Sequence, residues 1–238
     1  MDAVGVVLAA GLGTRVGADG NKAYLPLAGR SMLAWSLDTL GRLPDIARTV
    51  LVYRQGELAL ARDTLRREIG DLPVEFVEGG DTRHASETNV MRYLADDIES
   101  GTVDVVAIHD AARPLAGADM FVEAVALARR FGGALPALPI RDLVRADAGG
   151  LHWVAQAPPL VRVQTPQAFR ARDLLHAYRS AERDGFEGTD TSSTVERYTA
   201  VEVRTFPGRA DNLKVTYARD VAVAQHLLVN AGGPAGPR

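Results

Sequence analysis

Four times between residues 4 and 130 a short apolar run gives way to a stretch of helical period, and a fifth apolar run follows. That alternation limits the fold more than any other feature of the chain. Residues 4–8 are a continuous apolar run closed by Ala9-Ala10-Gly11, the pattern of a buried strand entering a loop. Ser31 is placed to cap a helix over 31–40 that carries Leu33, Leu37 and Leu40 on one face. Further strands are expected over 49–53, 74–77, 103–108 and 134–140, with helices over 57–68, 82–95 and 118–130 between them. A parallel return needs a crossover, so repeated strand–helix units predict an α/β fold: a mostly parallel sheet with helices on both faces. Ligands in such sheets lie beyond the carboxyl ends of the strands. The polar clusters after the first, third and fourth strands fall at that edge.

The alternation breaks at 141–163. Turn-forming Ala-Asp-Ala-Gly-Gly and Ala-Pro-Pro segments flank strand-like pieces at 151–155 and 160–163. They predict a hairpin-like β-arm leaving the sheet, either as a plain surface hairpin or as a contact for a second subunit. Helices resume over 171–183, with Leu174, Tyr178 and Ala181 on one face, and over 191–198. A strand over 201–206 and a helix over 218–230 complete a single expected domain spanning 1–230. The Gly/Pro-rich residues 231–238 read as a disordered tail.

A net charge of −3 and a pI near 6.0 argue against nucleic acid or an anionic membrane as partner. No apolar run approaches the roughly 18 residues that span a bilayer. The chain enters its first strand without a basic leader, and it has no cysteine for disulfides, thiol catalysis or thiolate metal sites. A cytoplasmic protein is the expectation.

Lys22 and Lys214 are the only lysines among 27 basic residues. Either they escaped a bias toward arginine, or their sites need a compact charge on a slim stem rather than a planar fork. Lys22 follows a glycine-rich loop, Leu8-Ala-Ala-Gly-Leu-Gly-Thr-Arg15-Val-Gly17, whose Gly11 and Gly13 let backbone N–H groups approach a triphosphate. The dinucleotide pattern G-x-G-x-x-G fails because position 16 is Val, and no acidic residue closes the second strand, where Tyr53-Arg54 stands. The Walker pattern fails because Lys22 follows Asn21 and precedes Ala23. Arg15 in the loop with Lys22 opening Lys-Ala-Tyr-Leu-Pro-Leu fits a nucleotidyltransferase. There, charge gathering on phosphoryl oxygens makes positioned cations and Mg²⁺ the main catalytic tools.

Further motifs follow in order: Glu78-Gly-Gly-Asp-Thr-Arg-His-Ala-Ser86, His109-Asp-Ala-Ala-Arg-Pro114, Gln164-Thr-Pro-Gln-Ala-Phe169, Thr189-Asp190, and Arg209-Ala-Asp-Asn-Leu-Lys-Val-Thr216. With the loop they resemble the 2-C-methyl-D-erythritol 4-phosphate cytidylyltransferase family of isoprene biosynthesis, over residues 4 to about 228. The resemblance implies a Rossmann-like nucleotidyltransferase fold that transfers CMP from CTP to a polyol phosphate, with Mg²⁺ and as a homodimer joined through the arm. By the same resemblance Arg15 and Lys22 stabilise the pentavalent phosphorus. The backbone of Ala9, Ala10 and Gly11 reads the base beside Gly13, and Gly80, Asp81 and Ser86 complete the nucleoside pocket. Asp110, with Ala111, lies near the ribose, the acceptor and the metal. Arg113, Thr165 and Thr189 meet the acceptor, and Lys214 holds its phosphate for attack. Bland readings stand beside these: a turn or capping role for Asp110 and Thr165, a loop-pinning role for Arg113, and packing for Ser86. His109 reads as structural, since the five histidines show no metal-ligand spacing.

Three positions depart from the family pattern. Asn21 replaces the proline before the loop lysine, which is expected to loosen the chain there while leaving Lys22 in register. Leu143 replaces a threonine of the arm. Ala157 replaces an arginine eight residues before Thr165 that would reach the acceptor phosphate across the dimer. Loss of such a charge-assisted contact costs about 1.5–3 kcal/mol. Arg141, Arg145 or Arg162 are candidates to restore the charge, and ribitol 5-phosphate is the alternative acceptor. A catalytically silent nucleotide-binding relative is the remaining alternative.

Overall fold

The computed structural model describes residues 2–11, 13, 20–140, 144–147, 149–153 and 160–230, with only the backbone for 144–147 and 151–153. The expected tail at 231–238 lies outside them. In chain order the elements are β1 (Asp2–Leu8), the short pair β2 (Pro26–Leu27) and β3 (Arg30–Ser31), α1 (Met32–Gly41), β4 (Ile46–Tyr53), α2 (Leu58–Ile69) and β5 (Glu75–Glu78). There follow α3 (Arg83–Tyr93), α4 (Ala95–Ser100), β6 (Val103–Asp110), α5 (Ala118–Phe131) and β7 (Gly132–Pro139). The chain ends with β8 (Val144–Asp147), β9 (Gly150–Trp153), β10 (Val161–Val163), β11 (Gln167–Arg170), α6 (Ala171–Asp184), α7 (Thr191–Tyr198), β12 (Glu202–Pro207) and α8 (Ala218–Asn230).

β1 lies at the centre of an eight-stranded sheet, parallel to β4 on one side and β6 on the other. Its last residue, Leu8, is in register with Val52 and with Asp110. The chain leaving β1 and the carboxylate closing β6 therefore meet at one edge. Side chains alternate across β1. Ala3 and Val7 join Leu33, Leu37 and Phe121 on one face, while Val4 and Val6 join Met91, Leu174 and Tyr178 on the other. Burying both faces explains why the strand reads as an unbroken apolar run.

Two expectations needed correction, and one strand had not been anticipated. The helix predicted over 82–95 is two helices, α3 and α4, meeting at Leu94 with φ −91° and ψ 0°. The segment Gln167–Arg170 is a strand, β11, running antiparallel between β6 and β7. Four residues are too few to show a period, and the run is polar at both ends. The hairpin of the arm pairs β8 with β9, whereas the predicted second piece, β10, joins the central sheet antiparallel to β7. Residues 141–143 and 154–159 of the predicted arm lie outside the described residues.

Candidate active site

Ala9 follows β1 and donates its N–H to Val52 O at 2.9 Å. Residues 14–19, Arg15 among them, lie outside the described part of the chain. The described chain resumes at Gly20, and Asn21 opens a single 3₁₀ turn, Lys22–Tyr24. The expected loosening at Asn21 does not occur. Its side chain is buried, Oδ1 accepts from Ala23 N at 3.0 Å, and Nδ2 donates to Ala9 O at 2.6 Å and to Glu57 Oε2 at 2.8 Å. Side-chain hydrogen bonds supply the restraint that a proline ring would have supplied covalently. Lys22 reaches across the cavity and donates from Nζ to Val215 O at 2.9 Å. Its stem passes over Gly13, where φ is +66° and a Cβ would fall 2.5 Å from Lys22 Cγ. Only glycine fits there.

Asp110 is the hub of a second wall. Lys214 Nζ donates to Oδ2 at 2.7 Å, and Arg83 Nε lies 3.4 Å from Oδ1. Burial opposes ionisation, but Arg83 and Lys214 more than offset it and hold the carboxyl well below the usual carboxylate range. The Asp110 N–H donates to Thr165 Oγ1 at 3.1 Å, and Thr165 Oγ1 lies 3.0 Å from His109 Nδ1. His109 Nε2 lies 3.1 Å from Arg113 O, a pure acceptor, so Nε2 carries the proton and Nδ1 accepts from the Thr165 hydroxyl. Burial depresses the imidazole to about 4, which keeps it neutral. His109 is structural, as the sequence implied.

The third wall is the segment before α3. Thr82 caps that helix by accepting from Ala85 N at 3.1 Å, and Ser86 Oγ donates to Thr82 O at 2.9 Å while accepting from Gly80 N at 3.1 Å. The Ser86 hydroxyl thus shapes the Gly80 turn. Arg83, which the sequence reading passed over, joins this wall to the hub. Its Nη1 donates to Glu87 Oε1 at 2.6 Å, one helical turn on. Glu87 is buried and also accepts from the hydroxyls of Thr191 and Tyr178. Arginine followed four residues later by glutamate, just inside a capped helix, was the available signal.

The three walls enclose a cavity of about 290 Å³. It brings together Ala9, Ala10, Gly11, Gly13 and Lys22 from the loop, and Gly80, Asp81 and Ser86 from the α3 approach. Asp110, Ala111 and Lys214 complete it. Three expected acceptor contacts do not line it. Arg113 donates from Nη1 to Asn212 O at 2.8 Å, Thr165 is buried beneath Asp110, and Thr189 is exposed on the turn before α7. Arg162, on β10, is also exposed and away from the cavity. Arg141, Leu143 and Ala157 lie outside the described residues, as does the Arg145 side chain. No group of three or more His, Asp or Glu side chains suited to a metal occurs among the described residues. An ionised Asp110 at the cavity fits Mg²⁺ held mainly by substrate phosphates, since that ion commonly takes only one or two protein carboxylates.

A glycine-rich turn, two lysines entering one cavity from different segments and an ionised aspartate at the carboxyl edge of a mostly parallel sheet define a nucleotidyltransferase. The family model described as 2-C-methyl-D-erythritol 4-phosphate cytidylyltransferase matches residues 3–230. The enzyme of that name from Cereibacter sphaeroides is 37% identical over 234 residues, covering 98% of this chain and 100% of the relative. The one from Desulforamulus reducens is 35% identical, with 94% and 95% covered. Among solved structures, 4-diphosphocytidyl-2C-methyl-D-erythritol synthase from Anaerococcus prevotii superposes with a TM-score of 0.80 at 25% identity, covering 96% of both chains. The Thermus thermophilus cytidylyltransferase superposes at 0.72 with 28% identity, covering 94% of this chain and 98% of that one. The chain belongs to the 2-C-methyl-D-erythritol 4-phosphate cytidylyltransferase family.

Proposed function

We propose that this protein transfers CMP from CTP to 2-C-methyl-D-erythritol 4-phosphate, releasing pyrophosphate and forming the CDP-polyol. An oxygen of the acceptor phosphate attacks the α-phosphorus of CTP, and the bond from that phosphorus to the bridging oxygen breaks as pyrophosphate leaves. The observation that carries this reading is the entry of Lys22 and Lys214 into one cavity from different walls. Lys22, with Arg15, stabilises the pentavalent phosphorus, and the backbone at Ala9, Ala10 and Gly11 faces the base. Gly80, Asp81 and Ser86 complete the nucleoside pocket. Lys214 passes from Asp110 to the acceptor phosphate and aligns it, while Arg83 keeps Asp110 in place. Arg113 and Thr165 support this wall from behind: one ties Asn212, and the other orders the Asp110 backbone. Thr189, exposed on the turn before α7, is the remaining acceptor contact of this reading.

Asp110 and the triphosphate oxygens would hold Mg²⁺, which neutralises charge on the departing pyrophosphate when bound. The same reading takes 1–230 as one catalytic domain that acts in the cytoplasm as a homodimer through its arm. No helix among the described residues is long and apolar enough to cross a membrane. A pyrophosphate-release assay over four nucleoside triphosphates and several polyol phosphates tests the proposal. Highest kcat/KM is expected for CTP with methylerythritol phosphate. Ribitol 5-phosphate winning by orders of magnitude, or CTP binding without pyrophosphate release, would overturn it.

A further inference from the structure

A cation that stabilises a transition state must be fixed in advance, yet Lys22 carries a flexible four-carbon stem. Its head is held at Val215 O and its stem by Gly13, but neither contact holds the main chain from which it springs. That chain starts at Asn21, only 8% exposed, whose amide engages the end of β1, the Lys22 turn and the head of α2 at once. The amide orientation follows from its partners. Ala9 O and Glu57 Oε2 can only accept, and Ala23 N–H can only donate, so a flipped group would oppose like with like at all three.

Glu57 is set apart from an ordinary capping residue. It occupies the N-cap of α2, but its side chain makes no capping hydrogen bond. Instead the carboxylate turns to Asn21, with Arg54 Nη1 3.7 Å from its second oxygen and its side chain 17% exposed. Tyr24, on the Lys22 turn, packs against the same group. Burial, and then the Glu57 charge, push its hydroxyl up.

We propose that Asn21 and Glu57 are a positioning pair: by accepting from the Asn21 amide, Glu57 pins the turn bearing Lys22 to the end of β1, where the nucleotide loop begins. Asn21 borders the cavity, but its amide bonds are made to protein groups, so the pair acts through the lysine. It rests on the reading of Lys22 as the transition-state cation. Glu57 makes the bond charge-assisted, and so shorter and stronger than an amide–amide contact. Displacing a reacting group by about 1 Å costs roughly a hundredfold in rate, so the pin acts on turnover more than on binding.

Steady-state kinetics with CTP and methylerythritol phosphate, alongside thermal melting, test the pair. Asn21→Ala is expected to lower kcat about tenfold or more while KM for the acceptor stays within about threefold. Asn21→Asp keeps the oxygen that serves Ala23 but loses the donor, and should be as slow. Glu57→Ala, losing one hydrogen bond, should be slower by roughly threefold to tenfold. The double variant Asn21→Ala/Glu57→Ala should be no slower than Asn21→Ala, because the shared bond is already gone. Wild-type kcat in Asn21→Asp, or losses that simply multiply in the double variant, would overturn the pair. Lys22→Ala separates the two levels. If it keeps its kcat, the reading of the lysine falls; if it is slow while the melted-intact Asn21 and Glu57 variants are not, only the pair falls.

Discussion

At the scale of single residues, the proposed mechanism gives the two lysines different tasks, so their removal should read differently. In that mechanism Lys22 faces developing charge, so Lys22→Ala should cut kcat by about a hundredfold or more with little change in KM for CTP. In the same mechanism Lys214 leaves Asp110 to bind the acceptor phosphate, so Lys214→Ala should act mainly on the acceptor. A lost contact of about 1.5–3 kcal/mol corresponds to a tenfold to hundredfold rise in its KM. Equal effects of both variants on both parameters would contradict this division. His109 supplies a pH signature of the fold. Its folded value, about 4, lies below the 6.5 of a free imidazole, so the unfolded chain binds the extra proton. The contribution is complete above pH 6.5 and falls away toward pH 4, by about 3 kcal/mol over that window. Urea titrations at several pH values should show the slope in the parent and a flatter one in His109→Gln. An unchanged slope would exclude the imidazole as its source.

Among the elements, α7 depends on one carboxylate. Asp190 accepts from Ser193 N at 2.9 Å, the Ser193 hydroxyl returns to the Asp190 carbonyl, and Gln167 Nε2 donates to Asp190 Oδ2 at 3.1 Å. The cap thus also ties α7 to β11. Asp190→Ala should cost about 1–2 kcal/mol, a loss of roughly 2–8 °C in Tm for a chain of this size, and Asp190→Asn should restore most of it. An unaltered melting curve for the alanine variant would show that the cap is idle. The same neighbourhood shows where sequence patterns fail. Helices α1, α5 and α6 carry apolar faces several turns long, so their period is visible before folding. β11 has no such length. Gln167, Ala168 and Phe169 become a strand because β6 and β7 leave an antiparallel slot between them.

For the molecule as a whole, the cavity joins three walls that the sequence keeps far apart. A ligand that binds only the folded form stabilises it by about 2.7 kcal/mol at a hundred times its Kd, or roughly 5–10 °C here. CTP should raise Tm by that order, and ATP at equal concentration by much less. Identical shifts for all four nucleotides would remove the case for base selection. The sequence alone determined the strand–helix alternation, the glycine loop and the motifs that place the chain in its family. Each is local, written in period, turn chemistry or spacing. Tertiary structure decided which of those residues meet. Lys22 finds Val215 across 193 positions, and Lys214 finds Asp110 across 104. It also decided that Thr165 and Arg113 stand behind the cavity, that Arg83 joins it, and that Asn21 is pinned rather than loose. Those outcomes depend on which atoms are left without a partner once the sheet closes, and no local pattern carries that information.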